Sequence, residues 1–115
     1  MISLEDAVSE IPIIAIIRGV KPDEVLAIAD ALYSAGIRII EVPMNSPEPL
    51  ESIKRLGSLS DRILHGAGTV LTPEVVDQVA AATGRIIVSP NTDAAVIART
   101  VERGLISMPL SLIHI

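Results

Sequence analysis

The stretch Ile37-Arg38-Ile39-Ile40-Glu41-Val42-Pro43-Met44-Asn45-Ser46-Pro47-Glu48 decides the fold. Its first half, Ile37 to Val42, is a β-branched run of strand length with one acid near its end. Its second half is a turn in which a hydroxyl, Ser46, precedes a proline and an acid, as at a helix start. A strand feeding directly into a helix is half of a parallel β-α-β unit. The same texture recurs in both directions along the chain. Ile13 to Ile17, Ile63 to Ala67, Ile86 to Ser89 and Leu105 to Met108 read as further buried strands. Between them, apolar residues fall at helical spacing. The first such face is Val25, Ile28, Ala29 and Leu32; the second is Leu50, Ile53 and Leu56. The third is Val75, Val76, Val79 and Ala80; the fourth is Ala94, Ala95, Ile97, Ala98 and Val101.

The boundaries agree with this register. Pro22, Asp23 and Glu24 suit the first turn of a helix, and Thr72-Pro73-Glu74 repeats the pattern of Ser46-Pro47-Glu48. Thr92-Asp93 opens the fourth helix in a similar way. Gly36, Gly84 and Gly104 stand where helices end. The chain therefore reads as five strands and four helices in strict alternation, without a linker or a low-complexity segment. That is too little to close a (β/α)8 barrel, which takes at least ~200 residues. An open, doubly wound five-stranded sheet fits the length equally well. Pattern alone leaves both architectures open.

Composition narrows the function classes. The 115 residues offer at most one compact domain. Half of them are hydrophobic, yet Tyr33 is the single aromatic, so the core must be built from Ile, Val, Leu and Ala. A formal net charge of −5 argues against a nucleic-acid surface, which needs a basic stripe and stacking aromatics. Cysteine is absent, so there is no disulfide framework and no thiolate metal site. The segment from Met1 to Glu10 carries three acids and no base, unlike a secretory signal. No apolar run approaches the roughly 18–20 residues of a membrane span. Neither GxGxxG nor a Walker A pattern is present.

In parallel α/β folds, function gathers at the C-terminal ends of the strands. Those ends read Arg18-Gly19, Glu41 through Pro47, Gly66-Ala67-Gly68-Thr69, Ser89-Pro90-Asn91 and Met108-Pro109. Polar residues and prolines collect there. Taken together and in order, Ile-Ile-Arg18-Gly19, Glu41-Val-Pro-Met-Asn45-Ser46-Pro47, Gly66-Ala-Gly-Thr69-Val-Leu and Val-Ser-Pro90-Asn91 resemble the aldolases of 2-keto-3-deoxy-6-phosphogluconate and its galactonate epimer. The likeness runs from about Ile11 to Pro109. Asn45 followed by Ser-Pro resembles the galactonate branch, the gluconate branch more often having an arginine at that position.

The resemblance implies a (β/α)8 barrel, here in part, and cleavage of a phosphorylated keto acid to pyruvate and glyceraldehyde 3-phosphate through a lysine Schiff base. It implies no metal and no organic cofactor, a cytoplasmic enzyme, and a homotrimer at full length. Glu41 matches the carboxylate that shuttles protons. Arg18 matches a cation facing the substrate carboxylate or imine, and Thr69 a hydroxyl that binds the pyruvyl carboxylate. Backbone N–H groups of a flexible Gly66-Ala-Gly68 turn would help Thr69, Pro90 would line the pyruvyl pocket, and Asn45 joins the substrate-facing set. The family's lysine belongs to the sixth strand; Lys21 and Lys54, the only lysines, match no family motif. The phosphate loops after strands seven and eight have no counterpart either.

Plainer readings compete with each assignment. Glu41 reads also as a solvated acid at a helix entry, and Arg18 as a rim arginine. Gly66 and Gly68 read as a tight turn, Thr69 as a strand residue, and Pro90 and Asn91 as turn formers. His65 reads as a satisfied, partly buried histidine, and two isolated histidines do not make a zinc site. Two other classes stay open: a non-catalytic half-barrel that binds a keto acid or a partner, and another phosphate-binding barrel enzyme. Residues 1–109 are expected to be the front of the barrel. Leu110-Ser-Leu-Ile-His-Ile115 resembles a translated transposon end used as a sequencing adapter, so 110–115 are expected to be non-native.

Overall fold

The computed structural model describes residues 2–10, 13–90 and 93–109. The tail at 110–115, with His114, and Asn91 and Thr92 lie outside the described residues. One sheet is built from β1 (Ile14–Ile16), β2 (Ile39–Pro43), β3 (Leu64–Gly68), β4 (Ile86–Ser89) and β5 (Ile106–Pro109). Helices α2 (Val25–Ser34), α3 (Pro49–Leu56), α4 (Pro73–Ala81) and α5 (Ala94–Glu102) fill the crossovers, and α1 (Leu4–Glu10) precedes β1.

Strand order decides between the two architectures. All neighbouring strands are parallel, and the spatial order is β1-β2-β3-β4-β5. A doubly wound sheet reverses its order at a switch point and so carries helices on both faces. Here the order never reverses, and right-handed crossovers then lay every connecting helix on one face. That is the winding of a barrel wall, present as a five-stranded sector.

Alternation along each strand splits the apolar residues into two layers. Ile40, Val42, Ala67 and Ile87 face outward and pack with Val25, Ala29, Ile53, Leu56, Val76, Val79 and Val96 of the helices. The inner layer is Ile14, Ile39, Leu64, Ile86 and Ile106, the first residue of each strand, packed with Ala7, Ile2 and Leu4. Helix α1, which the periodicity reading did not predict, thus closes the N-terminal end of the sheet from inside. The C-terminal end is left for function.

Four local expectations need correction. Ser46 does not cap α3; that helix starts after Glu48, a residue in the left-handed region at φ 42, with Pro49 in its first turn. Thr83, at φ 74, takes the left-handed position after α4, whereas Gly84 is not among the positive-φ residues. The buried face of α5 is Val96 and Thr100, and Val101 is 65% exposed. The Ala- and Val-rich run of α5 made the period ambiguous. Thr100 tolerates burial because its hydroxyl donates to the Val96 carbonyl at 2.7 Å. The helix after β1 starts later than read, at Val25, with Glu24 as its N-cap residue and Pro22 and Asp23 in the turn before it. The caps at Thr72 and Asp93 are as read: Thr72 accepts from the Val75 N–H, and Asp93 accepts from Ala95 and Val96.

His65 is more deeply placed than expected: it points to the helix side and is fully buried. Burial pushes its pKa down to about 4; the Ile53 backbone opposes that shift and Arg85 adds to it. The folded protein therefore holds a neutral ring over a range in which the unfolded chain, titrating near 6.5, binds a proton. The stability this confers is complete above pH ~6.5 and is lost as the pH falls toward 4, by about 3 kcal/mol in all. Urea unfolding of wild type and His65→Leu from pH 7 to 4 checks this. The wild type should lose more stability on acidification than the variant, and parallel curves would refute it.

Candidate active site

Glu41 is the third residue of β2, on the inner face two places beyond Ile39. Its lateral neighbours in register are Ile16 on β1 and Gly66 on β3. It is only 3% exposed, and its Oε2 is buried without a hydrogen-bond partner. Burial raises its pKa above the usual carboxylate range, and the Arg18 guanidinium pulls it partly back. A carboxyl so placed exchanges protons nearer neutrality than a solvated one and suits general acid–base work. The reading of Glu41 as a solvated helix-entry acid does not fit this burial.

Gly66 and Gly68 do not form a flexible turn. Both lie in β3, both are buried, and neither is among the glycines at positive φ. Their missing side chains provide space instead. A Cβ on Gly68 would overlap the carboxyl carbon and both oxygens of Glu41, and one on Gly66 would overlap the Ile86 backbone on β4. The chain bends just afterwards, at Thr69, which is half-buried with φ 55. A β-branched residue in that region is uncommon, and such strain is characteristic of functional sites. The Val70 N–H then donates to the Val88 carbonyl at 3.3 Å, which ties this bend to β4.

The structure thus groups Glu41 with Gly66 and Gly68, brings Arg18 within electrostatic reach, and places Thr69 next to Gly68. Asn45 and Pro90 share the same end of the sheet, one exposed in the turn after β2 and the other half-buried after β4. Among the described residues, no hydrogen bond joins either of them to Glu41. The two lysines are elsewhere: Lys54 is exposed on α3, and Lys21 is exposed in the loop after β1. Lys21 lines a cleft of about 350 Å³ with Pro22, Asp23, Pro47, Glu48 and Arg55, to which Glu41 does not contribute. No group of three or more His, Asp and Glu side chains that could hold a metal ion occurs among the described residues.

Ser46 is the site residue that sequence reasoning missed. Its Oγ accepts a hydrogen bond from the Gly19 N–H at 3.2 Å, so it joins the loop after β2 to the loop after β1. A hydroxyl before Pro47 looks like a helix cap, and nothing local in the sequence separates the two uses.

Residues 4–110 match the family model for KDPG and KHG aldolases. The probable 2-dehydro-3-deoxy-6-phosphogalactonate aldolase of Rhizobium meliloti is 44% identical over 101 residues, covering 87% of this chain and 48% of that protein. The 2-dehydro-3-deoxy-6-phosphogalactonate aldolase of Escherichia coli is 43% identical over 102 residues, 88% of this chain and 50% of that protein. The chain thus spans about half the length of the curated relatives it matches. Among solved structures, a native KDPGal structure superposes with a TM-score of 0.84 at 44% identity, covering 87% of this chain and 49% of that one. The KDPG aldolase of Legionella pneumophila, solved with pyruvate captured at low pH as a covalent carbinolamine intermediate, superposes at 0.77 and 28% identity, with 85% and 48% covered.

Proposed function

The chain belongs to the KDPG and KHG aldolase family, and from that premise we propose that it is the front part of a 2-keto-3-deoxy-6-phosphogalactonate aldolase. The reaction is retro-aldol cleavage of that acid, or of its gluconate epimer, to pyruvate and D-glyceraldehyde 3-phosphate. The identities of 44% and 43% to proteins carrying the galactonate name favour the galactonate substrate.

A lysine amine outside residues 1–109 adds to the C2 ketone to give a carbinolamine, which loses water to an iminium ion. The C4 hydroxyl gives up its proton, the C3–C4 bond breaks, and its electron pair moves onto the iminium to form an enamine. Glyceraldehyde 3-phosphate leaves as the aldehyde. Protonation at C3 and addition of water then release pyruvate and the free amine. Glu41 carries the protons between these steps. Arg18 faces the substrate carboxylate or imine, and Thr69, at the bend after Gly68, receives the pyruvyl carboxylate. Pro90 and Asn45 border the bound acid. The imine is the electron sink, so the scheme uses no metal or organic cofactor. The reading extends to a cytoplasmic homotrimer at the full family length, with residues 1–109 as the front of the barrel.

The observation that carries this reading is Glu41: a buried carboxyl with a raised pKa, at the functional end of a barrel wall that belongs to an aldolase family. The carbinolamine in the Legionella relative is the adduct of an amine and pyruvate, which supports the covalent route. The test is pyruvate with borohydride, read by peptide mass spectrometry, alongside cleavage assays on both C4 epimers. In the protein of full family length, one lysine outside 1–109 should be trapped. In residues 1–109 alone, none should be. Stoichiometric trapping on Lys21 or Lys54, or absence of cleavage with either epimer, would overturn the proposal.

A further inference from the structure

Arg18 sits between two anchored neighbours. On one side, the Ile17 N–H donates to the carbonyl of Glu41 itself at 3.1 Å. On the other, the Gly19 N–H donates to Ser46 Oγ at 3.2 Å. Both anchors belong to the segment that carries Glu41. The first is ordinary strand pairing, and any residue at 41 would supply it. The second depends on one side chain. Ser46 is buried at 6% exposure, and its own N–H is held by the Pro43 carbonyl at 3.0 Å, so the hydroxyl has a defined position. Gly19 adopts φ 78, a conformation that presents its amide to Ser46 and that a residue with a Cβ would resist.

We propose that Ser46 is a positioning residue, whose hydroxyl clamps Gly19 and thereby holds the Arg18 segment in place beside the Glu41 carboxyl. Arg18 is itself exposed, so its side chain has no packed shell to fix it. Its backbone must supply the placement. Around Glu41, β1 presents apolar Ile16 followed by Arg18, β3 presents Gly66 and Gly68, and α1 meets the inner face through Ala7. His65 alternates with Leu64 and Gly66 and so points to the helix side, and the Arg85 guanidinium donates to the Ile2 carbonyl at the N-terminal end of the sheet. Arg18 is the charged group that acts on Glu41. Releasing Gly19 leaves the Ile17 pairing and the turn bond from the Val20 N–H to the Ile17 carbonyl at 3.3 Å, but it removes the tie from Gly19 to the loop after Glu41 and weakens that action. The inference deepens the aldolase reading, since it concerns the same carboxyl, but its test needs no turnover.

The test is carboxyl ¹³C NMR titration of Glu41 and hydrogen exchange of the Gly19 amide, measured on this chain. Loss of one hydrogen bond of about 1 kcal/mol should speed Gly19 exchange in Ser46→Ala by roughly five-fold. The Glu41 titration midpoint should move to higher pH in Ser46→Ala and in Arg18→Gln. The double variant should shift no further than Arg18→Gln alone, because Ser46 acts through Arg18. Ser46→Thr, which keeps the hydroxyl, should restore the wild-type midpoint. Ser52→Ala, which removes a buried hydroxyl on α3 that has no partner, should change neither readout. Additive shifts in the double variant, or an unmoved Glu41 midpoint in Ser46→Ala, would overturn the proposal. Should Ser46→Ala fail to fold, failure of Ser46→Thr to match wild type would overturn it equally. Absence of a lysine adduct with pyruvate would sink the aldolase reading and leave these outcomes untouched.

Discussion

Glu41→Gln, made in the protein of full family length, is expected to lower turnover by roughly 10²–10⁴-fold, the range for losing a general acid–base group. Gln keeps the size of Glu and much of its hydrogen bonding, but it carries no proton at neutral pH. Substrate affinity should change far less, because the carboxylate contacts come from other residues in the proposed scheme. Stability should move the opposite way to activity. The folded-state pKa of Glu41 is raised, so its favourable contribution is present below the unfolded value of 4.5 and is lost as the pH rises through the folded value. At neutral pH the wild type therefore bears a cost for burying this ionisable group, and the Gln variant does not. Steady-state kinetics and urea unfolding at pH 4 and pH 7 check both halves. An unchanged turnover number would remove Glu41 from the mechanism.

Gly66→Ala and Gly68→Ala should fail in different ways, although the two positions are neighbours on one face of β3. At Gly66 the new Cβ meets the Ile86 backbone, which can yield only if β3 and β4 part. We expect a loss of about 3 kcal/mol or more, the upper range for overpacking, out of a total that is typically about 5–15 kcal/mol. The variant should be largely unfolded or insoluble. At Gly68 the new Cβ meets the end of the Glu41 side chain, which can rotate away. That variant should fold with a modest loss of stability, yet lose turnover nearly as severely as Glu41→Gln, because the carboxyl is displaced. Circular dichroism with urea unfolding, together with activity at full length, separates the two. A soluble, cooperatively folded Gly66→Ala, or a fully active Gly68→Ala, would contradict the geometry.

The five strands and four connecting helices were legible because buried parallel strands read as β-branched runs and the helices between them as 3.6-residue periodicity. The run from Ile37 to Val42 and its turn through Glu48 carried both signals. The fourth helix exposed the limit: where Ala and Val occupy nearly every position, several faces are equally apolar, and packing picked Val96 and Thr100. Helix α1 escaped because its short acidic sequence has, among its residues of described burial, a single buried one, Ala7, whose partners Ile39, Leu64 and Ile86 are 32 or more positions away.

At the candidate site, the identity of Glu41 and its place at a strand end could be read from the chain, since strand length and alternation are local properties. Its burial could not be, nor could its raised pKa or the approach of Arg18, because each depends on what β1 and β3 set beside β2. Gly66 and Gly68 are the sharpest case. Locally, glycine signals freedom; in the sheet, both are strand residues whose absent side chains leave room for a neighbouring strand and for a carboxyl. The sequence by itself determined which segments become strands and helices and which polar residues stand at the strand ends, since short-range sterics and periodicity govern those. Only the tertiary structure decided that the strands follow one another without reversal, that α1 closes one end, and that Ser46 holds a loop instead of capping a helix. Those outcomes arise from contacts between residues far apart in the chain, which no local pattern encodes.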